Sequence, residues 1–288
     1  MKMTFRWYGK ENEAFPLEYV KQIPGMHGIV GALFDVPVGE VWPLDKIFAL
    51  KREAEEAGLS LETIESVNVH EDIKMGLPSR DRYIENYIRT LRHLSQAGIN
   101  VVCYNFMPVF DWTRTELSKM LPDGSLTMSY DERILRTLTP ETLAEHMRKG
   151  AKGFKLTGWE PERLKALHAL FEKYRDIDED RLFANLQYFL QAIIPTAESC
   201  GIKMAIHPDD PPWSVFGLPR ITTSKSNLER IVSLVDSPCN GLTLCSGSLG
   251  ANSENDIPEI IRHFGKMGRV HFGHVRNVKI HEPGVFDE

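Results

Sequence analysis

Three residues whose side chains can bind a metal each close a short apolar run. They are His207 in MAIHPDDPP (Met204 to Pro212), Cys245 in GLTLCSGS (Gly241 to Ser248) and His274 in RVHFGHVRN (Arg269 to Asn277). Imidazole nitrogen and thiolate sulfur suit divalent transition ions. The separations are 38 and 29 residues, far too wide for a zinc finger or ribbon, whose ligands come in local pairs. They fit instead a β/α repeat of roughly 30 residues, since about 250 residues make eight such units of a barrel. Ligands on three successive parallel strands would stand side by side at the C-terminal end of the barrel, where such enzymes build their active sites. Taken singly, a strand-end histidine is more often a packing residue and a buried cysteine more often a small hydrophobe. Three together favour one shared ion. His271 lies three residues before His274, so the period of two turns it to the opposite face and assigns it to structure.

One thiolate and two neutral imidazoles carry a single negative charge. A catalytic site built on them takes one more carboxylate and keeps a position open for substrate. No Asp or Glu closes the seventh strand, so that carboxylate is expected from an eighth. Thiolate by itself suggests Zn²⁺; a mixed sulfur, nitrogen and oxygen set also admits Mn²⁺ or Fe²⁺, and these two are the expected cofactors ahead of Zn²⁺. Arg276 lies two residues beyond His274 and hence on its face, where its planar fork of donors suits a carboxylate substrate. Asn68, Asn105, Asp209 and Ser246 are expected to bind substrate with it, joined by Trp7. His70, Asp210 and Ser248 face the same mouth in this reading. For each of these the plain alternative is a cap or a loop hydrogen bond. Lys155 and Trp159 could belong to a lid or to an exposed loop.

Apolar periodicity supplies the elements that hold these residues. Strands are expected at Phe5 to Tyr8, Gly28 to Phe34, Leu61 to Val69, Asn100 to Phe106, Lys203 to His207, Leu242 to Cys245 and Val270 to His274. Helices are expected at Pro16 to Ile23, Pro43 to Gly58, Ser79 to Gly98, Pro140 to Lys149, Asp178 to Gly201, Asn227 to Val235 and Asp256 to Gly265. The alternation predicts a parallel sheet covered by helices, a single (β/α)₈ TIM-barrel domain over residues 1–288. From Met107 to about Tyr174 the pattern lapses into an aromatic and polar loop, a Pro-Asp-Gly turn at Pro122 to Gly124 and GFKLTGWE at Gly153 to Glu160. Residues 107–180 are therefore expected as an insertion over the active-site mouth. Seven strands are found where a closed barrel needs eight, so the eighth β/α unit is expected to be missing from this sequence.

Composition narrows the partners. With 42% hydrophobic and 26% charged residues the chain is an ordinary globular one. Its net charge of −6 gives no attraction to nucleic acid or an anionic membrane. No apolar run approaches the roughly 18 to 20 residues of a membrane span, and the opening MKMTFRWYGKENEAF lacks a secretory core. Cys103, Cys200, Cys239 and Cys245 are too sparse for a disulfide framework, which suggests a reduced, cytoplasmic protein. A homo-oligomer, a dimer first, is expected.

The opening FRWYG, the stretch KMAIHPDDPPWSVFGLPRI, LTLCSGSLG and HFGHVRN together resemble the D-mannonate dehydratase family, within the xylose-isomerase-like metal-dependent barrels. The resemblance covers nearly the whole chain, and IHPDDPP with LCSGS is its most specific part. It implies a metal site of two histidines, a cysteine and an aspartate, of which His207, Cys245 and His274 match the first three. The aspartate, a neighbouring histidine and a later tyrosine used for acid–base work belong to a Pro-Asp-His-Gly-Arg-like segment that this sequence does not contain. The main acid–base residues are thus expected beyond Glu288. The implied reaction is removal of water from the sugar acid D-mannonate, giving 2-keto-3-deoxy-D-gluconate, in hexuronate catabolism. Rival expectations are a sugar isomerase or epimerase or a phosphoesterase on the same barrel, or a sugar-acid-binding protein without catalysis.

Overall fold

In the computed structural model, which describes residues 1–150 and 167–288, the expected alternation of strand and helix holds along both halves of the chain. In order it begins β1 (Met3–Arg6), α1 (Leu17–Lys21), β2 (Met26–Gly31), α2 (Leu44–Glu56), β3 (Ser60–Glu65), α3 (Glu71–Met75), α4 (Arg80–Gln96) and β4 (Val101–Tyr104). There follow β5 (Glu116–Met120), β6 (Leu126–Asp131), α5 (Glu132–Leu135), α6 (Pro140–Gly150), α7 (Leu167–Tyr174) and α8 (Glu179–Cys200). The chain closes with β7 (Lys203–Ile206), α9 (Lys225–Leu234), β8 (Asn240–Cys245), α10 (Ser246–Gly250), α11 (Ile257–Lys266), β9 (Val270–His274), β10 (Lys279–Glu282) and β11 (Val285–Asp287).

The long helices form where their apolar residues fall on one side. In α4, Ile84, Tyr87, Leu91 and Leu94 are buried; in α8, Leu182, Leu186, Phe189, Leu190, Ile193 and Ala197 are. The Asp178 carboxylate caps α8 by accepting from the Arg181 amide at 2.8 Å. Gly201 ends that helix at φ +66°, a conformation that favours glycine.

Seven strands make one parallel sheet in the order β1-β2-β3-β4-β7-β8-β9. Four strand spacings separate β3 from β9, about 19 Å on a flat sheet. Yet Glu65 at the end of β3 meets His274 at the end of β9 at 3.2 Å. The sheet is therefore curled into a barrel wall, and side chains at the C-terminal strand ends converge inside it. Among the described residues β1 and β9 do not pair with each other.

Two expectations need correction. The third strand stops at Glu65, short of Val69. Val67 and Val69 are buried all the same, because the loop that carries them packs into the core, and this prolonged the apolar pattern. The described part of the stretch from Met107 to Tyr174 is also more regular than expected. β5 and β6 form a hairpin around the Pro122 to Gly124 turn, with Gly124 at φ +84°. That hairpin joins β11 and β10 in an antiparallel sheet of order β10-β11-β6-β5. Tyr130 of β6 stacks on Phe286 of β11 and meets Trp213 edge-on, which seats this sheet against the segment that follows β7. No helix among the described residues is long and apolar enough to cross a membrane.

Candidate metal centre

β7 delivers His207 one residue past its last regular position: the His207 amide still donates to the Tyr104 carbonyl at 2.7 Å. Cys245 ends β8 and caps α10, its sulfur 3.1 Å from the Ser248 hydroxyl. His274 ends β9 and pairs with Cys245 in register. The donor atoms of His207, Cys245 and His274 all lie within 4.8 Å of one another.

The partners of each ring define how it presents its lone pair. His207 Nδ1 lies 2.7 Å from the Pro208 carbonyl and His274 Nε2 lies 3.2 Å from the Glu65 carboxylate. Both partners are acceptors, so each of those nitrogens carries the proton. The remaining nitrogens, His207 Nε2 and His274 Nδ1, face each other 3.1 Å apart. Two bare lone pairs so placed would repel, so either a shared proton, in keeping with the raised pKa of His274, or a metal ion that displaces it lies between them. Bonds of about 2.0–2.1 Å to a shared ion set two nitrogens roughly 3.0–3.4 Å apart, so the donor set fits a transition metal.

The surroundings favour the thiolate. Burial opposes ionisation of Cys245, but hydrogen bonds from His207 and His274 and the charge of Arg276 hold its pKa well below the ordinary value. Burial likewise opposes a charged His274, while Cys245 and Glu65 raise its pKa to about 9. Glu65 is held near 2 against its burial by His274 and Arg6.

Arg276 stands beside the sulfur, 3.8 Å from Nη1 to Cys245 Sγ. Its guanidinium also donates to Asp210 at 3.1 Å and to Glu288 at 2.8 Å, while its buried Nε finds no partner among the described residues. Asp210 is buried and accepts as well from Arg114 at 2.8 and 3.1 Å and from the Ser248 hydroxyl at 3.0 Å. Burial is overcome by these cations, which keep Asp210 ionised well below the usual carboxylate range.

The family model for D-mannonate dehydratase (UxuA) matches residues 1–288. This chain belongs to the D-mannonate dehydratase family. The mannonate dehydratase of Thermotoga petrophila is 63% identical over 279 residues, which are 97% of this chain and 78% of that protein. The crystal structure of mannonate dehydratase from Streptococcus suis serotype2 superposes with a TM-score of 0.89 at 48% identity, covering 100% of this chain and 76% of that one. D-Psicose 3-epimerase from Clostridium cellulolyticum, at 14% identity and a TM-score of 0.55 over 95% of this chain and 72% of that one, shares the fold alone. The fold is the xylose-isomerase-like TIM barrel, of which the curled parallel sheet is the wall.

The other residues expected at the mouth of this dehydratase fall in different places. Ser246 ties the ends of β8 and β9 together: its hydroxyl donates to the Arg276 carbonyl at 2.7 Å and accepts from the Arg276 amide at 3.0 Å. Asn105 is buried after β4 and accepts from the Met107 amide at 3.3 Å. The Asp209 carboxylate turns away from the triad to accept from the Ile221 and Thr222 amides, both at 2.7 Å. Asn68 lines a small cavity with His70, whose ring stacks on Tyr83 at 3.6 Å and caps α3. Trp7 is buried on the helix side of β1, its indole donating to Glu53 of α2 at 3.1 Å, so the structure does not bring it to the triad. His271 packs over Gly241 and bonds the Met204 carbonyl at 2.9 Å, a structural place. Lys155 and Trp159 lie outside the described residues.

Glu65 and Arg114 were not expected in the site. The apolar run on to Val69 hid the true end of β3 and so hid Glu65. Arg114 lies in a stretch with no periodicity.

Proposed function

We infer that the chain is a hydro-lyase that removes water from D-mannonate to give 2-keto-3-deoxy-D-gluconate. The single observation that carries the chemistry is the convergence of two imidazole lone pairs and one thiol from three neighbouring strand ends. His207, Cys245 and His274 would hold Mn²⁺ or Fe²⁺. The α-proton of a carboxylate is hardly acidic in water, and a bound divalent ion supplies Lewis acidity that stabilises the charge left when it departs.

The chain's own residues then divide the work. His207 and His274 keep their protons on the nitrogens that face Pro208 and Glu65, which leaves the other two free for the ion. Arg276 remains charged beside the sulfur, where its guanidinium places a positive charge suited to an anionic substrate. Asp210 and Ser246 fix the guanidinium and backbone of Arg276, so its charge is in place before substrate arrives. The proton leaves C2, the 3-hydroxyl leaves with a proton added, and the resulting enol becomes the 2-keto group. A two-metal isomerase is the weaker reading, since its strand ends carry carboxylates where this chain carries sulfur and nitrogen.

Seven parallel strands correspond to an eight-stranded barrel, with the described parts of residues 107–180 as a cap after the fourth. The four free cysteines suit a reducing, cytoplasmic setting. Formation of the 2-keto-3-deoxy acid from D-mannonate by the full-length gene product tests the reading: turnover is expected with Mn²⁺, is lost with chelator and returns on re-addition. Turnover that chelation leaves untouched would overturn the metal assignment.

A further inference from the structure

We propose that Glu65 is a positioning residue for the metal centre, acting through His274. The proposal rests on reading His207, Cys245 and His274 as metal ligands. Glu65 Oε2 accepts from His274 Nε2 at 3.2 Å, on the far side of the ring from the nitrogen that faces His207. From there it cannot itself reach the ion unless the ring turns over. It fixes two things about the ligand: which nitrogen bears the proton, and how the ring is rotated about its bond to Cβ. A carboxylate on the outer nitrogen also raises the basicity of the inner one.

The carboxylate is itself held from two other strands, β1 and β4. Arg6 on β1 has its Nε 3.8 Å from the same Oε2. Cys103 on β4 donates to Oε1 at 3.5 Å, and its sulfur accepts from Thr243 on β8 at 3.2 Å. The Ala205 carbonyl on β7, 3.1 Å from the same hydroxyl, is the alternative acceptor for its one proton. The Glu65 side chain is only 16% exposed. A charge kept so far from water is costly unless it is paired, and an apolar residue would fill the same volume without that cost. The pairing with His274 and Arg6 gives the buried charge its role.

The test compares the unmodified chain with Glu65→Gln and Glu65→Ala. Mn²⁺ binding is measured by calorimetry, and Co²⁺ loading by its visible ligand-field bands. The unmodified chain is expected to bind one ion. Glu65→Gln is expected to weaken Mn²⁺ binding by roughly ten- to hundredfold and to shift the Co²⁺ bands, while the metal-free protein remains folded at the temperature of the titration. Glu65→Ala is expected to do more; should it fail to fold, Glu65→Gln still decides. Mn²⁺ affinity and Co²⁺ bands unchanged in Glu65→Gln overturn the proposal. So does a loss of affinity in a metal-free variant already unfolded at the titration temperature, or one with Co²⁺ bands unchanged, since either marks a merely structural role. An unmodified chain that binds neither ion removes the metal reading itself, a failure distinct from the first.

Discussion

Arg276 lies across Gly247, in the space a side chain there would need. A Cβ on Gly247 would stand 2.7 Å from Arg276 Cβ and 2.8 Å from its Nε. Gly247→Ala must therefore move the guanidinium away from the sulfur and from Asp210. Loss of a charge-assisted contact of about 1.5–3 kcal/mol predicts a fall of roughly ten- to hundredfold in kcat/KM for D-mannonate, read by steady-state kinetics. Asp210 is the more sensitive position, because two arginines face it. Asp210→Asn leaves a buried Arg114 with one acidic partner, Glu288, and is expected to destabilise the fold by about 3–5 kcal/mol in denaturant melts. The triad itself was legible residue by residue, because ligand-type side chains at strand ends stand out from the apolar runs before them. Glu65 did not stand out: it meets His274 from 209 residues earlier in the chain.

At the scale of elements, the loop after β7 and the outer antiparallel sheet carry separate expectations. Asp209 satisfies two backbone amides in a buried loop, with Arg220 Nη1 3.7 Å away. Asp209→Ala is expected to cost about 2–4 kcal/mol, measured by unfolding, because those donors lose their acceptor where water cannot replace it. In the outer sheet, Asp287 of β11 accepts from Lys119 of β5 at 2.7 Å and pairs with His281 of β10 at 2.8 Å. Burial raises its pKa, but Lys119 and His281 lower it further, so the net shift is downward. A carboxylate depressed in the folded state adds stability that is complete above its unfolded pKa of about 4 and disappears as pH falls through the lower folded value. Amide exchange in β11 and β6 is thus expected to speed up below about pH 4, and Asp287→Asn is expected to lack that acid step. Exchange rates that follow the same curve in both proteins would count against the pairing. The hairpin turn was readable from Pro122 to Gly124, but its strands were not, since β11 comes from a distant part of the chain.

For the molecule as a whole, the three proposed ligands lie on β7, β8 and β9 and would be drawn together by one ion. An ion bound only by the folded chain stabilises it by about 2.7 kcal/mol at a hundred times its Kd. The melting temperature should rise by several degrees with Mn²⁺ and fall back with chelator, and Cys245→Ser should show little of that rise. An equal rise in Cys245→Ser would place the ion elsewhere. The sequence by itself determined the parallel β/α alternation, the long helices and the candidate ligands at the strand ends, because each is written in local periodicity and side-chain chemistry. Only the tertiary structure decided that Glu65 reaches His274, that Asp209 accepts from the Ile221 and Thr222 amides while Asp210 joins Arg114 and Arg276, and that β6 pairs with β11. Curling the sheet sets side chains from remote strands within hydrogen-bonding distance, and no pattern along the chain encodes which of them will meet.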